Sequence, residues 1–502
     1  MHRASFALSF SEDLAMRMPM TLRRRDALKA GAAAAATAAL PFGARAQTSD
    51  DEQKFLFVIA ANGGGSILDS FLPIVDSESP NGQTIVAYPQ ALVQKPNGSN
   101  LRCVHTTLPL GLPPGYQQTF LQNHAADTAV MTVEGTSVNH IVAGKRAVTG
   151  ANANRGRTIM EAMALAHGNG MLLPNCNMSE SGYLEPGDDA TLPGFARGET
   201  IADALLFPVA TDGIRGVPRS PARDLVERAR GVRERLDNQS VFAQTFRASK
   251  MLNRYLHTRR SVVPAMEAAD LITKLMMVPN IPGQIPLESF GLSSSPEGQR
   301  VRQMFPDLLD DPFDAQAALA FLLARYRISC AVTISPSFAP IIEGATLINT
   351  PLAFDFSHTQ HPLAQYTMWS RMFRAADGLI KLLKEQDFDD TDPSKGKMWD
   401  RSLVYFATEF GRDKTRPSGS FEYGTGHNLN NGAILVSPLL NGNRVYGGVD
   451  VNTALTYGFD RTTGEPAPGT VMREGDIYGV IAQAMGISYP GQILVPTMIK
   501  SV

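Results

Sequence analysis

The sequence predicts an α/β protein: three layers, α/β/α, with a mostly parallel sheet and helical and loop insertions. Short apolar runs of strand length recur along the 502 residues, at Lys54–Ala61, Thr128–Val133, Cys330–Ser335, Leu403–Ala407 and Ala433–Ser437. They are continuous rather than alternating, as strands buried on both faces are. Stretches with apolar residues at helical spacing separate them, and strands alternating with helices over a whole chain argue a parallel sheet. Several runs end in glycines and polar groups, which is where open α/β sheets build sites.

Composition narrows the function classes. A chain that is 43% hydrophobic and 19% charged is ordinary for a globular protein. No apolar run reaches the length of a membrane span. A net charge of −2 gives no electrostatic case for nucleic acid. Cys103, Cys176 and Cys330 lack metal-ligand spacing and form no disulfide framework, though one bridge stays open. The N-terminus reads as a twin-arginine (Tat) export signal. Arg23-Arg24-Arg25 precedes a mild apolar stretch, Ala30–Leu40, and Ala44-Arg45-Ala46 suits cleavage before Gln47. The expected division is a signal over 1–46 and one domain over 47–502, exported to the periplasm or beyond.

The first strand runs into Asn62-Gly63-Gly64-Gly65-Ser66, then Asp69 and Ser70. Glycines after a buried strand let backbone approach a ligand closely. No GxGxxG fingerprint follows, so no nucleotide or organic cofactor is expected. Asn81–Pro114 reads as irregular chain, and Tyr116–His124 as a short helix. After the second strand, Thr136 or Ser137 is placed to cap a helix that carries His140 and ends at Thr149-Gly150, a natural anion site. A helix is expected over Arg157–His167, and Leu172–Gly216 reads as loop. Pro221–Met277 has apolar residues at helical spacing, such as Leu225, Val232 and Leu236. It predicts helices packed on one side of the sheet, the start of a helical insertion over about 221–330. Further helices are expected at Asp314–Tyr326, Leu363–Gln386 and Asp476–Met485.

Three strand ends carry polar groups: Asn62/Asp69, Asn139/His140 and Glu409/Arg412. Two loops add Asp355/His358/His361 and His427. In a doubly wound sheet such ends converge on one edge. The mixture suits a divalent metal such as Zn²⁺, Mn²⁺ or Ca²⁺. The plainer alternative is that Glu409 and Arg412 merely pair and the histidines are structural.

Thr408-Glu409-Phe410-Gly411-Arg412, then Gly426-His427, resemble motifs of the exported family called domain of unknown function 1501, in the alkaline phosphatase/sulfatase-like superfamily. Phe354-Asp355-Phe356-Ser357-His358-Thr359-Gln360 resembles that family's element before a long helix, and Asn139-His140 to Thr149-Gly150 its His-containing segment. The resemblance implies an alkaline phosphatase-like fold and, with Asp69 added from the strand-end reading, a site made of Asn62, Asp69, Asp355, His358, Glu409 and His427 as metal ligands, with His140 and Arg412 catalytic. It also implies departures. His140 falls where phosphatases carry a hydroxyl nucleophile and sulfatases a modified cysteine. Glu409-Phe410 falls on a metal-binding Asp-His pair, and Asn62 on a metal Asp. Three readings follow: a hydrolase of a phosphate or sulfate ester, with Arg412 holding the anion; a metal- or ligand-binding protein without the chemistry; or a cell-envelope structural protein whose partner is an envelope component. Oligomeric state is open.

Overall fold

The structure is a computed structural model that describes residues 52–501, apart from 106–114, 180–181, 213–219, 279–291, 293–294, 337–341, 344–345, 348–352 and 421. The expected signal over 1–46 lies outside the described residues. The main sheet has eight strands: β1 (Phe55–Ala61), β2 (Thr128–Glu134), β3 (Asn175–Met178), β4 (Glu199–Thr200), β5 (Ala331–Ile334), β6 (Ser402–Thr408), β7 (Asn430–Val436) and β8 (Arg444–Tyr446). Their order is β8-β2-β7-β6-β1-β5-β3-β4. All neighbours are parallel except those of β7, which runs against both β6 and β2. Among the described residues no helix lies between β6 and β7, and without a crossover helix the chain returns antiparallel.

β1 lies at the centre with every residue buried, which is why its sequence is apolar throughout rather than alternating. Successive side chains of β6 point to opposite faces. The Tyr405 hydroxyl donates to Ala147 O at 3.3 Å in α2 (His140–Thr149). Phe406 packs instead on Phe120 of α1 (Gln117–His124) and on Phe373, a residue of the long helix Ser357–Glu385. Helices therefore cover both faces. On the α2 side are α3 (Ile159–His167) and the terminal helix Glu474–Met485; on the α1 side are α4 (Pro312–Arg325) and the long helix, α5.

Two expectations need correction. Leu172–Gly216 contributes the strands β3 and β4. The sequence of β3, Asn-Cys-Asn-Met, hides its burial because its amide N–H groups are bound locally: Asn177 donates to Tyr183 O at 3.0 Å and Asn175 to Ala196 O at 3.3 Å. The insertion is helical, but its first helix, Arg223–Gln239, has no buried residue and does not pack on the sheet. It is held to its own insertion by ion pairs, Arg230 with Glu267 and Glu234 with Arg259 at 2.5 Å. Among the described residues of this region burial begins at Leu271, Ile272 and Leu275 and continues into Pro312–Arg325.

Candidate metal centre

The site lies where the C-terminal ends of β1, β2 and β6 meet two loops. Gly63 has φ +82°, and a Cβ there would lie 2.4 Å from Asp355 N, so only glycine lets the β1 end pass the loop bearing Asp355. A Cβ on Gly424 would lie 2.0 Å from His358 O, so the segment leading to His427 can also cross closely. Two buried amides fix the glycine run. Gln365 accepts from Ser66 N and donates to Gly64 O, both at 2.8 Å. Asn431 accepts from Ile67 N at 3.0 Å and donates to Gly65 O at 2.9 Å.

His140 is the first residue of α2. The helix is capped by Asn139, whose side chain accepts from Val142 N at 3.2 Å. The expected caps do something else: Thr136 gives its N–H and hydroxyl to Glu474, each at 2.7 Å, and Ser137 accepts from Asn139 N. The N–H groups of His140 and Ile141 find no acceptor among the described residues, as at any helix start. His358 lies in the first turn of α5. Gln360, with φ −137° and ψ 72°, breaks that helix just ahead of Pro362, whose ring excludes a regular helix there. The break frees His361 N to donate to Tyr423 O at 2.7 Å, which ties this turn to the His427 loop.

The side chains converge on Asp355 Oδ1. His140 Nε2 is 3.7 Å away, His358 Nε2 3.5 Å and His427 Nε2 3.9 Å. Donor atoms of His140, Asp355 and His427 all lie within 4.8 Å of one another, and these three can hold a metal ion. Donors about 2.0–2.2 Å from a tetrahedral ion sit roughly 3.4 Å apart, so a small contraction would suffice.

The tautomers suit this. His140 Nδ1 faces Glu409 Oε2 at 2.7 Å and His427 Nδ1 faces Val138 O at 3.1 Å. A carbonyl or carboxylate only accepts, so both rings carry hydrogen on Nδ1 and leave the Nε2 lone pair toward the cluster. Burial, then the nearby Arg412, His140 and His358, push the His427 pKa down, which keeps the ring neutral as ligation requires. His358 Nε2 is 2.9 Å from His427 Nε2, a hydrogen-bond distance. Phe410 packs on His427 with ring centroids 4.1 Å apart.

The structure gives other candidates different positions. Glu409 is not among the convergent donors. It stands behind His140, buried, with Oε2 accepting from both that ring and Gly63 N at 2.8 Å. Burial raises its pKa, against the pull of those hydrogen bonds. Arg412 is 0% exposed and is not placed to hold an anion. Its donors go to Gly64 O at 3.1 Å, Phe354 O at 2.9 Å and Asp355 Oδ1 at 3.2 Å, with His358 Nε2 at 3.4 Å. Asp69 is also removed from the cluster. A short turn, Ile67–Asp69, rotates it into the core, where it pairs with His361 at 3.1 Å and accepts from Tyr88. Burial alone would raise its pKa, but His361 and these hydrogen bonds hold it below the usual value. His361 in turn meets Thr425 Oγ1 at 2.9 Å. Asn62 accepts from Phe354 N through its backbone, and its buried side-chain Oδ1 has no partner among the described residues, an acceptor open to a ligand group. Sequence reasoning missed Gln365 and Asn431, which nothing in their spacing marks.

Neither a protein-family model nor a curated protein matches the chain. Among the described residues no helix is long and apolar enough to cross a membrane.

Proposed function

We propose that this is an exported, metal-binding protein of the alkaline phosphatase/sulfatase-like kind that hydrolyses a phosphate or sulfate ester at His140, Asp355 and His427. The observation that carries the reading is the pair of imidazoles whose Nδ1 atoms are committed to Glu409 and Val138 while both Nε2 atoms face Asp355. Two imidazoles and a carboxylate suit Zn²⁺ or Mn²⁺; Ca²⁺ prefers an oxygen-rich set. A divalent ion would supply Lewis acidity and make water a better nucleophile. The rest falls to the chain. Glu409 fixes the ring and tautomer of His140. Arg412 holds Asp355 Oδ1 and acts through it rather than on substrate. The open N–H groups of His140 and Ile141 offer a helix N-terminus to the ester's anionic oxygens.

A second reading, a binding or envelope protein without turnover, is favoured by two features. The start of α2 carries an imidazole rather than a hydroxyl, and Arg412 is wholly buried. One experiment separates them: metal content by elemental mass spectrometry, with turnover of 4-nitrophenyl phosphate and sulfate, for wild type and His140→Ala/His427→Ala. Near-stoichiometric metal and turnover, both lost in the variant, support the hydrolase. Metal without turnover supports the binder. No metal in a folded wild type removes the metal site.

A further inference from the structure

Five apolar residues within two positions of the three histidines are open to solvent. Val138 is 42% exposed, Ile141 53% and Val142 41%, all within two residues of His140. Phe356, two residues before His358, is 43% exposed, and Leu429, two residues after His427, is 37%. Single exposed apolar residues are ordinary, but a contiguous group around a polar centre marks a binding surface. The segments are joined. His427 donates to Val138 O, Gly135 N donates to Leu429 O at 2.7 Å, and His358 meets His427. The segments that carry these apolar residues are therefore the same ones that carry the convergent donors.

Resting on the proposed anion-binding reading, we infer that the ligand is amphiphilic: an anionic ester head seated on the histidine cluster, with an alkyl or aryl group lying on Val138, Ile141, Phe356 and Leu429. A wholly apolar partner would bury Asp355 and the imidazoles without new polar contacts, which is costly. A small hydrophilic ester would leave those side chains wet. An amphiphile satisfies both surfaces, since the head meets the open N–H groups of His140 and Ile141 while the tail removes apolar side chains from water.

The test uses the zinc-loaded full chain and non-hydrolysable alkylphosphonates, methyl through octyl, titrated by calorimetry. Affinity should rise about two- to fourfold per methylene over the first several carbons, fourfold being the limit for full burial. Phe356→Ser and Leu429→Ser, both at exposed positions, should flatten that dependence. Methylphosphonate binding with no gain for octyl would overturn the amphiphile while leaving the anion site standing. Binding of neither would overturn both. A second arm distinguishes the source of the chemistry. Co-sedimentation with phosphatidylcholine vesicles doped with phosphatidic acid, lost in the same variants, assigns a membrane-held ester. A chain-length dependence without co-sedimentation assigns a free amphiphile.

Discussion

Replacing Glu409 by Gln tests whether the carboxylate works through His140. In the wild type Glu409 Oε2 accepts from His140 Nδ1 at 2.7 Å and Gly63 N at 2.8 Å, in a side chain only 1% exposed. The amide has nearly the same shape and keeps an acceptor, but it loses the charge that makes the His140 ring a better donor to a metal. Partners of this kind are worth about 10–100-fold in metal affinity, or about 1.4–2.7 kcal/mol. Stability should change little. Burial raises the folded pKa of Glu409, so ionising it costs the fold as pH rises above the unfolded value, and the neutral amide removes that cost. Glu409→Ala differs, because it leaves Gly63 N buried without an acceptor, at about 1–3 kcal/mol. Calorimetric zinc titration beside melts of the metal-free proteins reads both effects. Zinc affinity in Glu409→Gln equal to wild type would refute the coupling; a large loss of melting temperature in that variant would mean Glu409 is there for the fold.

Arg412→Met should cost about 1–3 kcal/mol, because it takes one donor from each of Gly64 O and Phe354 O, while Asp355, 41% exposed, loses a counter-charge that solvent partly replaces; chemical denaturation measures this, and Arg412→Lys should rescue little, since an ammonium cannot reproduce the fork. His167 is buried, with Nε2–H donating to Met485 O at 2.8 Å and Nδ1 without a partner among the described residues, and burial lowers its pKa. The unfolded chain therefore takes up the proton first, so this residue costs nothing above about pH 6.5 and destabilises the fold as pH falls below it. His167→Gln should make the melting temperature less acid-sensitive between about pH 7 and 5, and an unchanged slope would count against this. Burial pushes the thiols of Cys103 and Cys176 up to about 12 and that of Cys330 higher still, and all three are free and buried. A thiol reagent should find none in the native protein and three after denaturation.

Much of the sheet was legible because burial on both faces demands apolar sequence. Phe55–Ala61, Thr128–Glu134 and Ser402–Thr408 all announce themselves in this way. Asn175–Met178 did not, because hydrogen bonding replaces hydrophobicity as the means of burying it. The antiparallel course of β7 depends on the absence of a crossover helix, which apolar runs do not reveal. At the site, His140, Asp355, His358 and His427 could be nominated because they follow strand ends or start helices. Their division of labour could not. Which Glu409 oxygen faces which ring is set by side-chain rotation and by the height of Gly63. Asp69 follows the glycine run as a ligand would, yet three residues of turn send it inward to His361. Arg412 reads as an anion holder until its burial is seen.

The cluster is held by buried charge, and that bears on whether it is a relic. Arg412, Asp69 and His361 are at most 1% exposed and lie within hydrogen-bond distance of groups on the β1 end, the start of α5 or the loop before His427. Lys414, also buried, donates to Asn430 O at 2.8 Å and has its pKa lowered to about 8 by that burial. Taking such groups from water costs several kcal/mol each, and apolar replacements of equal volume are often neutral or stabilising by about 1–4 kcal/mol. Stability alone therefore gives no reason to keep them. What they accomplish is positional. They lock the segments that carry Asp355, His358 and His427, while the side chains of His140 and Asp355 remain 41% exposed above them. A rigid buried scaffold under an accessible set of donors is the arrangement a ligand site needs and a purely structural loop junction does not.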